Sequence, residues 1–435
     1  MLLIYLYENS PRCQYVFDLI FKEESGIAFQ TTSDVKEFED YSGQKINYSG
    51  TRISNGFFIK ASPLLFENEI KKQEIQVAEK KNVKVLFPNE EDDLGFDIFS
   101  AVFYLISRYE EYLPFSADKF GRFKASDTLA FKNDFLQKPM VNIWIEIFKK
   151  TLKDKFEQME FNSSAFTAIV TYDIDVAYKF KGRSFGRTLG SALKDLLGFN
   201  VQDFKERIQT LLQSKKDPWD VYEDLEKIIL QNKLSSIFFF LLADKSEHDR
   251  NLDYQNPAIK KLVNQVKTFS EMGIHPSFHT SSFPEKILIE KERLQKLSTE
   301  QINKSRQHYL KFKLPDTFNT LLQSGITEDY SMGFPESPGF RAGICKPFYF
   351  YDLKNEKASS LKIFPVTCMD ATFIYYLEKS PEKSLMEMLN LMKEVKKVNG
   401  VFIPIFHNDI LGGNEKWKSV HDKVLLQIKS YLKSV

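Results

Sequence analysis

From about residue 164 the chain alternates short apolar runs with stretches whose apolar residues recur at helical spacing. Ala165–Tyr172, Ser236–Leu242, Gly273–Phe278, Arg306–Phe312, Ile326–Tyr330, Leu361–Val366 and Val401–Phe406 read as strands. Trp219–Gln231, Glu285–Leu297, Asp316–Gln323 and Lys383–Val398 read as the helices between them. Strands that alternate with helices predict a parallel sheet, and seven of them predict an α/β fold closed, or nearly closed, into a distorted (β/α) barrel. The interval from Val176 to Ser235 is longer than one crossover helix needs. A helical insertion is therefore expected at about 177–235, beside the site.

The N-terminal pattern is different. Leu2–Tyr7 reads as a strand, and Ser10 followed by Pro11 supplies an N-cap and first turn for a helix reaching Phe21. Apolar residues at helical spacing over Asp97–Leu113 stop at Pro114, and Val141–Phe156 forms a second amphipathic pattern. This mixture predicts a smaller α+β domain over residues 1–160, with the barrel over 161–435. No cluster of histidines or cysteines reveals a chemistry for the first domain.

Composition narrows the picture. A length of 435 residues exceeds one average domain, and 43% hydrophobic with 27% charged residues is ordinary for a globular chain. A net charge of +1 gives no electrostatic case for nucleic acid or an anionic membrane. The basic stretch Lys179–Arg187 reads as a solvated loop. Cys13, Cys345 and Cys368 are widely spaced, which argues against a disulfide framework and a thiolate zinc site. No run approaches the roughly 18 apolar residues of a membrane span. The opening MLLIYLYENS has no basic leader and reads as a first strand, so a cytoplasmic location is expected.

Candidate chemistry sits at the strand ends. Asp173 and Asp175 in TYDID lie two residues apart, so on a strand both point one way and Ile174 the other. His275 and His279 in IHPSFHTS straddle Pro276, which places them on a strand end and turn. Two imidazoles and one carboxylate hold a catalytic zinc with one position open, and the other aspartate is then free to act as a base. Taken alone, the two aspartates read more readily as caps of the following loop. In a β/α barrel the loops after the strands converge on one mouth. The same geometry therefore gathers Arg306 and His308, Asp329, Asp370 and His407 there. His248 and His421 read as ordinary surface positions.

TYDID, IHPSFHTS, RQHYLKF, EDYSMGF with PGFRAGICKPF, and IFHND resemble in order the motif series of the polysaccharide deacetylases with a nodulation-type homology domain, carbohydrate esterase family four. The resemblance covers roughly residues 164–435. The N-terminal region resembles an accessory domain of uncharacterised function that precedes the deacetylase in some bacterial members. The resemblance implies that Asp173 is the base, that Asp175, His275 and His279 hold zinc or a similar divalent ion such as cobalt or manganese, and that His407 is the acid; protonating a departing amine calls for a carboxylate such as Asp370 to orient that imidazole. The usual first motif has adjacent aspartates, whereas here Ile174 intervenes. Strand order puts Arg306 beside the base, while Arg341 in GFRAG fits the local family pattern better, and both stay open. His308, Asp329 and Tyr330 are candidate substrate contacts, with strand-end packing the other reading of His308. Phe334, Phe340 and Trp417 read as sugar-stacking or, more readily, core residues.

The expected activity is removal of N-acetyl groups from an amino sugar or glycan. Two alternatives stand beside it: hydrolysis of a non-sugar amide or cyclic imide, and a non-catalytic glycan-binding accessory protein.

Overall fold

The computed structural model describes residues 1–182, 201–212 and 214–433, and it is an α/β fold with parallel sheets. Near the N-terminus β1 (Leu2–Leu6), β2 (Phe29–Thr32), β3 (Lys45–Ser49) and β4 (Phe57–Lys60) pair in parallel in the order β2-β1-β3-β4. Every residue of β1 and β3 is buried, as expected of central strands covered on both faces. A ribbon of β5 (Val77–Lys80) and β6 (Val83–Leu86) follows.

The first helix runs Pro11–Phe17 and continues as a π-helical turn, Asp18–Glu23; the Ser10 hydroxyl caps it by accepting from the Cys13 amide. The helix expected over Asp97–Leu113 is only Ile98–Ile106 long. It ends because Arg108 enters the left-handed region at φ 54°, where its guanidinium donates to Glu111 at 2.8 Å. Met140–Lys155 lies within a residue of its predicted span.

The larger sheet begins with β7 (Thr167–Ile174), β8 (Ser235–Phe240), β9 (Glu271–Ile274), β10 (Lys304–Ser305) and β11 (Glu328–Asp329). It adds the hairpin β12 (Phe348–Asp352) and β13 (Lys357–Ile363), then β14 (Cys368–Met369), β15 (Val401–Phe402) and β16 (Pro404–His407). Its order is β12-β13-β11-β10-β9-β8-β7-β16-β14, with β15 also on β7, and only the β12–β13 pair is antiparallel. Between β13 and β14 the amide of Phe364 donates to the Asp329 carbonyl, that of Val366 to Met332, and that of Thr367 to Ile403. One extended stretch thus bonds β11 on one side and the β15–β16 strand on the other.

Several expectations change. Pro276 lacks an amide donor, so β9 stops at Ile274 and the chain turns into a 3₁₀ helix, Phe278–Ser281. No strand forms over the expected Arg306–Phe312; the strand is Lys304–Ser305, just before that span. Beyond it, Tyr309 (φ 62°) and Leu310 (φ 48°) turn the chain sharply. The hairpin partner β12 and the helices Pro257–Val266 and Glu415–Leu432 were not foreseen. Helices Val201–Leu211 and Tyr222–Asn232 occupy the expected insertion, of which residues 183–200 and 213 lie outside the described residues, as does most of the stretch Lys179–Arg187.

Strand alternation creates two apolar compartments. Ile237, Phe239, Tyr330, Val366, Met369 and Ile405 form a small cluster on one face. Tyr172, Ile174, Phe238, Phe240 and Phe406 join the large cluster on the other, which is continuous with the helices and strands of the N-terminal region.

Candidate functional site

Register brings the polar residues together. His407 pairs with Asp173 across β16 and β7, while Ile174, Phe240, Ile274 and Ser305 lie in one row across β7, β8, β9 and β10. The next residues in that row are Asp175, His275 and Arg306, on the same face as the small apolar cluster. Gly273 permits the close approach: a Cβ there would lie 2.5 Å from the Phe239 ring and 2.9 Å from the Lys304 carbonyl oxygen.

Among the described residues, Asp175, His275 and His308 offer ligand atoms within 4.8 Å of one another. His275 Nε2 lies 3.2 Å from Asp175 Oδ1, and His308 Nε2 lies 3.5 Å from Asp175 Oδ2. Each imidazole is anchored through its other nitrogen: His275 Nδ1 lies 2.5 Å from the Arg306 carbonyl oxygen, and His308 Nδ1 lies 2.9 Å from Asp249 Oδ1. An Nδ1–H donated to these oxygens leaves each Nε2 lone pair facing a carboxylate. Asp175 Oδ1 is buried and accepts no hydrogen bond from the described residues. Such a donor set, with acceptors behind both imidazoles, fits a divalent cation. Burial alone would raise the Asp175 carboxyl, but His308 and His275 hold it well below the usual carboxylate range. Burial works against the His308 cation too, yet Asp175 and Asp249 bring its pKa up to about 9, so a divalent ion at Nε2 would bind in place of a proton there.

Asp173 is buried, and Arg306 Nη1 donates to its Oδ1 at 2.7 Å. The guanidinium is itself fully buried, with Nε on the Tyr330 carbonyl and its carbon 4.4 Å from the centre of the Phe239 ring. His407 Nδ1 lies 2.6 Å from Asp370 Oδ1, and the His407 amide donates to Asp370 Oδ2. Burial disfavours the imidazolium, but the Asp370 carboxylate outweighs it and raises His407 well above its ordinary value.

A cavity of about 460 Å³ opens over Asp173, Asp175, His275, His308 and His407, and it is also lined by Gln307, Asp409 and the rings of Phe120, Tyr309, Tyr375 and Tyr376. Gln307 is buried, and its Nε2 has no partner among the described residues. Burial raises the Asp409 carboxyl.

Other expected residues lie elsewhere. His279 rides on the 3₁₀ helix after Pro276 and does not join the cluster; His308, expected to contact substrate, stands in its place. Arg341 donates from Nε and Nη2 to Glu111 at 2.9 and 2.6 Å, away from Asp173, so Arg306 is the arginine beside that carboxylate. Asp329 is buried under donors from Ser305 and Ser331, and Tyr330 packs in the small apolar cluster; neither lines the cavity. Phe334, Phe340 and Trp417 are core residues. His421 is buried rather than superficial, with Nε2 2.9 Å from the Tyr172 hydroxyl. Asp249 and Gln307 were missed: Asp249 sits in a loop without a motif, and Gln307 faces the cavity only because the strand ends before it.

A family of unknown function, DUF7033, matches residues 2–157. No curated protein matches the chain. Solved structures similar to it include one provisionally assigned as a polysaccharide deacetylase from Mycobacterium smegmatis, at 12% identity over 62% of this chain and 86% of that one, with a TM-score of 0.41. A polysaccharide deacetylase from Bacillus cereus matches at 11% identity over 61% and 88%, with a TM-score of 0.33. A mutant of a carbohydrate esterase family four pseudoenzyme with restored enzymatic activity matches at 8% over 61% and 63%, with a TM-score of 0.32. At these identities and TM-scores the likenesses assign neither an activity nor a residue role; the N-terminal region is the part that carries a family match.

Proposed function

We propose that this chain is a metal-dependent N-deacetylase of the polysaccharide deacetylase type, acting on an amino sugar or glycan. Residues 161–435 form a distorted β/α barrel, a reading supported by the stretch 364–367 that bonds both neighbouring strands. Residues 1–160 form the smaller α+β domain. The observation that carries the activity is the pair of imidazoles anchored at Nδ1 and turned with Nε2 toward Asp175, whose buried Oδ1 has no donor among the described residues.

Asp175, His275 and His308 would hold the divalent ion, with zinc the best match to two imidazoles and a carboxylate and cobalt or manganese as substitutes. When bound, such an ion polarises an amide carbonyl and acidifies water. Asp173, aimed by Arg306, takes the proton of the attacking water. His407, kept protonated by Asp370, donates to the departing amine nitrogen. The two act from neighbouring strands at one register position, so base and acid flank the scissile C–N bond. Gln307 Nε2 is a spare donor for the sugar, and Tyr375 and Tyr376 offer faces to its ring.

Metal analysis with an acetate-release screen over N-acetylated sugars tests this reading. One equivalent of divalent metal per chain is expected, lost in Asp175→Ala, bound measurably more weakly in His308→Ala and kept in His279→Ala, together with acetate release from at least one sugar. A metal-free wild type that Asp175→Ala leaves unchanged would sink it.

A further inference from the structure

The cavity is not built by the larger sheet alone. Lys119 and Phe120, which line it, belong to the N-terminal region, on a turn that precedes the helix Met140–Lys155. That turn braces itself. The amides of Phe120 and Arg122 donate to Asp118 Oδ1, the Asp118 amide donates to the Arg122 carbonyl, and Gly121 adopts φ 82° to close it.

Arg122 projects from the turn with its side chain only 3% exposed. Its Nε donates to Asp118 Oδ2 and its Nη1 to the carbonyl of Tyr309, both at 2.8 Å, while Nη2 reaches the Tyr376 hydroxyl at 3.3 Å. Tyr309 is the residue after His308 and sits at φ 62°, a costly backbone state for a residue with a bulky side chain. Phe120 packs over the same place, its ring centre 5.1 Å from that of Tyr309. The Ala125 amide, donating to Glu336 Oε1 at 2.7 Å, fixes the turn's far end to the larger sheet's loops.

We infer that Arg122 is a positioning residue for the cation site: by holding the Tyr309 carbonyl it fixes the strained turn that presents His308 to Asp175. The N-terminal region is then part of the site, and the match to a family of unknown function over residues 2–157 gains a role: one of its loops locks a ligand-bearing turn of the following region. The inference deepens the deacetylase reading and rests on its ligand set. Simple packing between regions would also bury an arginine, but it would not make the arginine's effect depend on His308.

The test is a cobalt(II) titration of the full chain, followed by visible absorption, in a double-mutant cycle of Arg122→Gln and His308→Ala. Arg122→Gln is expected to weaken cobalt binding about tenfold or more, in the range seen when outer partners of metal ligands are removed. Arg122→Lys, which keeps a donor for the Tyr309 carbonyl, is expected to recover part of that loss. In the His308→Ala background Arg122→Gln should have no further effect. Equal cobalt affinity of wild type and Arg122→Gln, or additive effects in the cycle, would overturn this inference and leave the deacetylase reading intact. A wild type that binds no cobalt would overturn both. If Arg122→Gln loses its near-ultraviolet circular dichroism, the same cycle is run with Arg122→Lys and judged by the same additivity criterion.

Discussion

The separation of Asp173 from Asp175 by one residue follows from strand geometry. Adjacent aspartates on a strand would point to opposite faces, whereas the intervening Ile174 packs into the large cluster and leaves both carboxylates on the cavity side. One carboxylate is then matched by Arg306, and the other faces two imidazoles. Asp173→Asn is expected to keep bound metal and lose acetate release by about 10² to 10⁴; metal content and rate measured on one preparation check this. Arg306→Leu leaves a buried carboxylate unpaired, a loss of about 3–5 kcal/mol that a urea melt would show. For His407 the folded pKa is raised, so its stabilising contribution is complete below about 6.5 and disappears as pH rises through the folded value. Asp370→Asn removes the cause of that rise. The alkaline limb of the rate profile should move to lower pH in the variant, and an unmoved limb would remove His407 as the acid.

Long elements were legible, short ones were not. Helices such as Asp316–Gln323 and Pro381–Lys397 lie on or near their predicted spans because many residues repeat one period. β10 and β11 have two residues each, too few for any period, and they are strands because their neighbours bond them. Hence the pattern reads the turn carrying His308 as strand, and the pairing of His279 with His275, together with the motif resemblance, favours His279 as the ligand. Asp173, Asp175, His275 and His407 could be read because each stands at or just past the end of a strong apolar run. The turn after β9 has its own support: the Ser277 amide and hydroxyl both donate to Glu290, whose burial pushes its carboxyl up to about 7. A raised carboxyl stabilises fully below about 4.3 and loses that contribution as pH rises through about 7. The melting temperature of wild type should therefore fall between pH 5 and 8 relative to Glu290→Gln, and parallel curves would count against the buried carboxylate.

Across the whole molecule, the N-terminal region is bound to the rest by more than a linker. The large apolar cluster crosses between them, and Glu111 receives Arg341 from one side and Arg108 from the other while Arg12 pairs with Glu356. Residues 161–435 produced alone should therefore expose apolar surface and bind a hydrophobic dye, whereas the full chain should not; a well-folded, dye-silent fragment would refute this. Sequence periodicity could not reveal such contacts, because pairing across hundreds of positions leaves no local pattern. The hydrogen bond from the Thr171 hydroxyl to the Pro404 carbonyl spans 233 positions, at the seam where Asp173 meets His407. Closing so long a loop is entropically expensive and slow. Asp173 and His407, the proposed base and acid, therefore come within reach of each other only when that seam zips, so recovery of the proposed activity during refolding would report its completion, trailing the signals of helix formation.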